Sequence, residues 1–257
     1  MNLNMSEELE RIESWLEYSP SVPHYAKFLP NTIGAGVKIA DVYHTICYAR
    51  ASLLYMDLDD YGQTIAKSDY IHKQYIKSKF FFDALAYYNY AIDLSWQVLF
   101  LYYGDEDYGM LQDQYRYEKD IKTCRMSTLE KRLKSKGKST LFEFVQAFLE
   151  LPLTDSVRDE YNYLKHRGTY HVDGLGENDE YFPLELDGST LRMINRREVD
   201  LSHWKEKLVE YDKSFVKYFS EILKVMPEDY VSSKLELLEI VSLSRRLKEW
   251  EKSKGSK

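Results

Sequence analysis

The sequence predicts a mainly all-α protein, and three observations carry that reading. Apolar residues recur at steps of three and four over several long stretches, the pattern of a helix with one buried face. Proline and glycine are scarce, 6 and 11 in 257 residues, and they fall between those stretches. Only one region, near 181–194, has the turn chemistry of strands: Phe182–Leu186 and Thr190–Ile194 flank Asp187-Gly188-Ser189, a small β-hairpin insertion.

Taken in order, Glu7 to Tyr18 reads as a short helix with an acidic first turn, which complements the helix dipole. Pro20, Pro23 and Pro30 read as an extended loop. Val42, Ile46, Ala49, Leu53 and Met56 then share one face of a helix. Phe81, Leu85, Tyr88, Ile92, Trp96, Leu99 and Tyr103 do the same over six turns, and this is the expected central helix, ended by Gly104. Gly109 to Thr123 is polar and gives no clear element. Ser127–Ser135 and Ser139–Leu151 read as helices, the second closed by Pro152. Thr154 or Asp155 is the expected cap of a helix reaching Arg167, with Val157, Tyr161 and Leu164 as its core face and Gly168 as its stop. Asp200 or Ser202 caps a helix with the stripe Trp204, Leu208, Tyr211, Phe215, Phe219, Ile222 and Met226. Pro227 is expected to open a last helix carrying Leu237, Ile240, Leu243, Leu247 and Trp250. The whole of 1–257 is read as a single helical domain.

Composition narrows the function classes. A net charge of -7 argues against a general nucleic-acid coat protein and leaves room for a local basic patch. The two cysteines, Cys47 and Cys124, form no CxxC pair, and a reducing cytoplasmic setting is expected. The opening MNLNMSEELERIESW is acidic and lacks a signal-peptide pattern. Phe80–Tyr103 is the most apolar stretch, yet it contains Asp83, Asn89, Asp93 and Gln97. It therefore reads as a buried helix and not a membrane span. Aromatic residues make up 15%, mostly the 23 tyrosines, so partly wet helix packing is expected ahead of base stacking.

The densest chemistry lies between Tyr161 and His171, which holds two of the six histidines. On a helix, Arg158, Asn162 and His166 stand at i, i+4 and i+8 and form a polar stripe away from Val157, Tyr161 and Leu164. Such a stripe is either a solvated face or a surface that meets a cleft or a partner subunit.

The run Asn162-Tyr163-Leu164-Lys165-His166-Arg167 resembles the signature region of the HEPN superfamily, in particular a bacterial branch with a KHRG-like sequence. The resemblance implies a multi-helix bundle with a core over about 79–226 and extra helices at both ends. In nuclease members an Arg and a downstream His cleave RNA without metal, usually across a homodimer cleft, in toxin or defence proteins. Asn162 and His166 match the polar residue and the His. Tyr161 stands where the Arg is expected, so that role passes either to Arg167 or to Arg158, or the chain is a non-catalytic dimerisation or protein-interaction module.

Under the catalytic reading, His166, Arg167, His171 and Asn162 form the site. A near-neutral imidazole moves a 2′-hydroxyl or leaving-group proton, and Arg167 offsets charge on phosphorus. Asn162 orients His166, and His171, beyond the Gly168 break, folds back as the complementary acid or base. Arg158 and Lys165 are the expected substrate contacts. RNA or a nucleotide, a second copy of the chain and a protein partner are the expected partners; no cofactor and no membrane are expected. A metal site built on His166, His171, Asp173, Glu177, Asp179 and Glu180 matches no standard ligand spacing, and none is assigned. Lys131 to Lys138 is the strongest basic run, either a grip on phosphate or a solvated helix end. Arg196-Arg197 and Arg245-Arg246 are weaker versions. His24, His44, His72 and His203 are isolated and read as structural.

Overall fold

The computed structural model describes residues 9–58, 69–176, 178, 181–192 and 194–255, and it is mainly α-helical. A 3₁₀ turn at Glu13–Tyr18 precedes α1 (Val22–Lys27), α2 (Pro30–Tyr55) and α3 (Tyr70–Tyr102). Four shorter helices follow: α4 (Gly109–Gln112), α5 (Gln114–Thr123), α6 (Met126–Ser135) and α7 (Ser139–Leu149). Then come α8 (Pro152–His166), strands β1 (Tyr181–Leu186) and β2 (Ser189–Arg192), α9 (Leu201–Leu223) and α10 (Leu237–Gly255). The strands pair antiparallel, with Leu186 opposite Ser189. Asp187 and Gly188 between them have φ of 51° and 76°, the left-handed pair that a two-residue hairpin turn needs. No helix among the described residues is long and apolar enough to cross a membrane.

Several elements differ from expectation, each for a local reason. Of the first expected helix, the described residues form only the 3₁₀ turn; Glu7 and Glu8 lie outside them. The proline loop is helical for most of its length: Pro20 stays in irregular chain, but Pro23 sits in the first turn of α1 and Pro30 opens α2. The missing proline N–H costs nothing in a first turn, where no helical acceptor exists. For the same reason Pro152 opens α8 and does not merely close α7. The central helix begins earlier, at Tyr70, and the uncertain polar segment forms α4 and α5, with Asp113 Oδ1 accepting from Tyr115 N at 2.9 Å.

The last helix begins at Leu237 and not at Pro227, because residues 227–233 turn around a fixed ring. Tyr230 is fully buried, 4.4 Å from the His24 ring and 4.9 Å from Phe28 between centroids. A Cβ at position 36 would collide with the Tyr230 hydroxyl, so Gly36 is what admits it. Ser21 N donates to His24 Nδ1 at 2.9 Å, which leaves Nε2 to donate to Tyr230 O at 3.0 Å. His24 is therefore a satisfied core residue.

The chain divides into two compact units. One comprises Glu10–Thr45, Tyr90–Glu150 and Ser214–Lys257. Its packing is aromatic: Trp15 meets Phe219 edge-on at 4.8 Å, and Phe148 stacks on Tyr218 at 3.8 Å. The other comprises Ile46–Asn89 with Leu151–Lys213. Ile46, Leu53, Phe81, Leu85, Val157 and Leu208 are all fully buried there. Among them lies Asp212, also fully buried. Arg50 grips it with two hydrogen bonds, Nε to Oδ2 at 2.9 Å and Nη2 to Oδ1 at 2.7 Å, and the Tyr88 hydroxyl donates to Oδ2 at 2.8 Å. One carboxylate thus ties α2, α3 and α9 together.

Removing that carboxylate strands a largely buried guanidinium, so Asp212→Ala should lower stability by about 3–5 kcal/mol. Urea unfolding measures this, and a loss below about 1 kcal/mol would show that the pair contributes little. Burial pushes the phenols of Tyr88, Tyr170, Tyr218 and Tyr230 above the ordinary value, with Asp212 adding to Tyr88 and Glu160 to Tyr170. A raised folded value means their stabilising contribution is complete below about pH 10 and is lost as pH climbs beyond it. In an alkaline titration, phenolate absorbance should rise first from exposed tyrosines, then again together with loss of helical circular dichroism. Ionisation of all tyrosines in a single step with helix intact would contradict the packing described.

Candidate functional site

Helix α8 carries the residues the sequence singles out. Its last backbone bond runs from Arg167 N to Tyr163 O at 2.8 Å, and Gly168, at φ 129°, turns the chain away. Its buried face is Thr154, Val157 and Glu160; Tyr161 and Leu164 are only half-buried. The expected core face of Val157, Tyr161 and Leu164 is therefore rotated, and a glutamate at 7% exposure occupies part of it.

Glu160 can be buried because its charge is met. The Tyr170 hydroxyl donates to Glu160 Oε1, and Arg197 Nη1 donates to the same oxygen at 3.0 Å. The Arg197 guanidinium lies 4.2 Å from the Tyr163 ring centre, and Tyr163 stacks on Tyr170 at 5.3 Å. Tyr170 rests against Phe82 at 5.2 Å and Phe81 at 6.0 Å. Arg197 N also donates to the Tyr163 hydroxyl at 3.0 Å. Burial first, and the Glu160 carboxylate second, push the Tyr170 phenol up, while its hydrogen bond to Glu160 holds the Arg197 guanidinium above its usual value. The result is a column of rings closed by one carboxylate. It fastens the segments 168–172 and 195–199 to α8.

The proposed site residues lie around this column in different settings. Asn162 and His166 are exposed, as expected for the stripe, and Arg158 is half-buried. The orienting bond expected from Asn162 to His166 does not form; neither side chain has a hydrogen-bond or ion-pair partner among the described residues. Arg167 is exposed, with Nη1 3.9 Å from Asp159 Oδ1, a weak surface pair. The Lys165 ammonium lies 5.8 Å from the Tyr161 ring centre.

His171 is not a loose arm. Its N–H donates to Arg197 O at 3.0 Å, and it bridges in parallel to Glu198. Its side chain lines a cavity of about 220 Å³ with Tyr70, Gln74, Asp173 and Ser202; none of Arg158, Asn162, Lys165, His166 or Arg167 lines it. The structure thus gathers Asn162, Lys165, His166 and Arg167 at one exposed helix end and holds His171 apart in a fixed pocket.

Among the described residues no group of three or more His, Cys, Asp or Glu is placed to hold a metal ion. Glu177, Asp179 and Glu180 lie outside the described residues. Each arginine pair hides one structural member: Arg197 in the column, and Arg246, whose guanidinium donates to Ala26 O at 2.6 Å and Lys27 O at 3.2 Å. Glu160, Tyr163, Tyr170 and Arg197 escape sequence reasoning as a cluster because up to 37 positions separate them. The one available signal is Glu160 itself, three residues beyond Val157 on the same helix face.

Compared with protein-family models, curated proteins and solved structures, the chain gives no significant match.

Tyr170→Phe keeps the ring packing and deletes one donor to a buried carboxylate, so a stability loss of about 1–3 kcal/mol is expected. Hydrogen exchange at the His171 amide should quicken in the same variant. Unchanged exchange there would show that the column does not fasten this segment.

Proposed function

We propose that this chain is a HEPN-like RNA-binding protein whose contact surface is the exposed end of α8. In this reading metal-independent cleavage takes two copies of the chain. The observation that supports it is the grouping of Asn162, Lys165, His166 and Arg167, all exposed at one helix end beside a rigid ring column. Two cations there suit phosphate, and the His166 imidazole, with no partner among the described residues, is open to a ligand or to a second copy of the chain.

His166 takes the 2′-hydroxyl proton as the 2′-oxygen attacks phosphorus. The bond to the 5′-oxygen breaks, and the partner's His166 protonates it, leaving a 2′,3′-cyclic phosphate and a 5′-hydroxyl. Arg167 offsets the extra charge on the phosphoryl oxygens, and Lys165 holds a neighbouring phosphate. A second copy is needed because His171, the other imidazole of the segment, lines a separate cavity.

A second reading, a non-catalytic dimerisation or interaction module, has its own support. Tyr161 stands in the expected arginine position, and the guanidinium that packs against α8 from the segment 195–199, that of Arg197, is neutralised by Glu160 at 3.0 Å and Asp159 at 3.6 Å.

The test is incubation of the purified chain with single-stranded RNA in excess chelator, with dimerisation followed by sedimentation. Cyclic-phosphate products should form, and His166→Ala should slow them by about 10²–10⁴-fold. Cleavage indifferent to His166→Ala would sink the assigned site. Stable self-association with neither cleavage nor RNA binding would favour the second reading.

A further inference from the structure

The basic run of α6 is not used by the α8 site, and the structure gives it a shape. Lys131, Arg132 and Lys136 line a groove of about 390 Å³ with Thr128, Ser135 and Tyr103. Three cations and one carboxylate, that of Asp105, are among its described lining, in a protein of net charge -7. This is a local excess of positive charge in an otherwise acidic molecule.

The ordinary explanation for cations at helix ends is that they offset the negative end of the helix dipole. Arg132 does perform that task. Its Nη1 donates to Phe100 O, near the end of α3, at 2.6 Å, and its guanidinium stacks on the Phe100 ring at 3.7 Å. A Cβ at position 104 would come within 2.7 Å of Arg132 Nη1, so Gly104 leaves the guanidinium its place. Arg132 is thereby held in one orientation before any ligand arrives.

Lys131 and Lys136 are different. Both are exposed, and neither has an ion pair or hydrogen bond among the described residues, whereas Lys134 between them is paired with Glu130 at 2.6 Å. Two free ammonium groups flank one fixed guanidinium, while the Thr128 and Ser135 hydroxyls of the lining already donate to backbone carbonyls. Fixed planar donors beside mobile point charges are a combination that suits a phosphate group. The Tyr103 ring in the lining suits the sugar or base next to it.

We infer that this groove binds a phosphate group, carried either by a small phosphomonoester or by the RNA backbone, at a site independent of α8. Lys131 and Lys136 supply the charge, and Arg132 sets the orientation. The assignment does not rest on the proposed cleavage.

The experiment titrates the full chain with three probes, inorganic phosphate, adenosine monophosphate and a single-stranded RNA oligonucleotide, and follows backbone amide resonances by NMR. Inorganic phosphate at millimolar concentration should shift the amides of Tyr103–Asp105 and Thr128–Lys136. The double variant Lys131→Ala/Lys136→Ala removes only exposed side chains and should keep the wild-type circular dichroism. It should weaken phosphate binding by about tenfold. If RNA is the carrier, the variant should also flatten the log–log salt dependence of RNA binding by about 1.4, since each lost contact removes roughly 0.7 on a single strand. If adenosine monophosphate binds with the same lysine dependence and RNA does not, the carrier is a small phosphomonoester and the groove assignment stands. Amides that do not move with any probe, or a double variant that binds as the wild type does, would overturn it. His166→Ala separates the two sites: it should leave phosphate binding in the groove unchanged whether or not it abolishes cleavage.

Discussion

A carboxylate taken out of water has to be met by donors that fully replace the water, and this constraint organises the unit that contains α8. Asp212 and Glu160 are both buried. An isolated buried charge costs several kcal/mol, more than a folded domain can spare at one position. Each is therefore matched by one guanidinium and one phenol: Arg50 and Tyr88 for Asp212, Arg197 and Tyr170 for Glu160. The two solutions share their chemistry and differ in reach. Asp212 draws three long helices together, while Glu160 draws irregular chain onto a helix. The second is the one that shapes the candidate site, because segments 168–172 and 195–199 have few backbone partners of their own apart from the link between His171 and Arg197.

The same constraint explains which charges remain available at the surface. A guanidinium committed to a buried carboxylate has given its field to that carboxylate. Arg197 is committed in this way and also lies flat on Tyr163, so its role is to hold the fold. Among the described residues Arg167 has only a distant exposed contact with Asp159, and Lys165 only a long contact over the Tyr161 ring. These exposed interactions are screened and weak, so both cations keep most of their field for a ligand. Charge count alone would have ranked Arg197 beside Arg167; burial and geometry separate them.

Much of the fold is legible in the sequence, since helical periodicity is a local property. The stripe from Phe81 to Tyr103 belongs to one continuous helix as far as Tyr102, and Asp200 caps α9 through Ser202 N and His203 N. The exposed stripe position of Asn162 and His166 follows from helix geometry alone. What is not legible depends on partners distant in sequence. Proline marks a boundary without saying on which side the helix lies, and so Pro23, Pro30 and Pro152 open helices. Residues 227–233 turn, and do not begin the last helix, because Tyr230 is anchored by His24 and Phe28 some 200 positions away. Glu160 looks like one more surface acid until Tyr170 and Arg197 arrive, and its burial turns the whole core face of α8 by one position.

That rotation bears on the proposed chemistry. With Glu160 turned inward, Asn162, Lys165 and His166 point to solvent, and nothing on the helix itself shields the imidazole or aims it. Proton transfer to and from RNA needs both, since a solvated and freely rotating imidazole is a poor acid or base whatever its affinity for protons. The ring column cannot supply the shield, because Tyr163 and Tyr170 are already stacked on each other and on Phe82. The missing wall must come from another surface, either the bound RNA or a second copy of the same helix end. Only the second brings an additional imidazole, and for that reason the catalytic form of the proposal is tied to self-association while simple RNA binding is not.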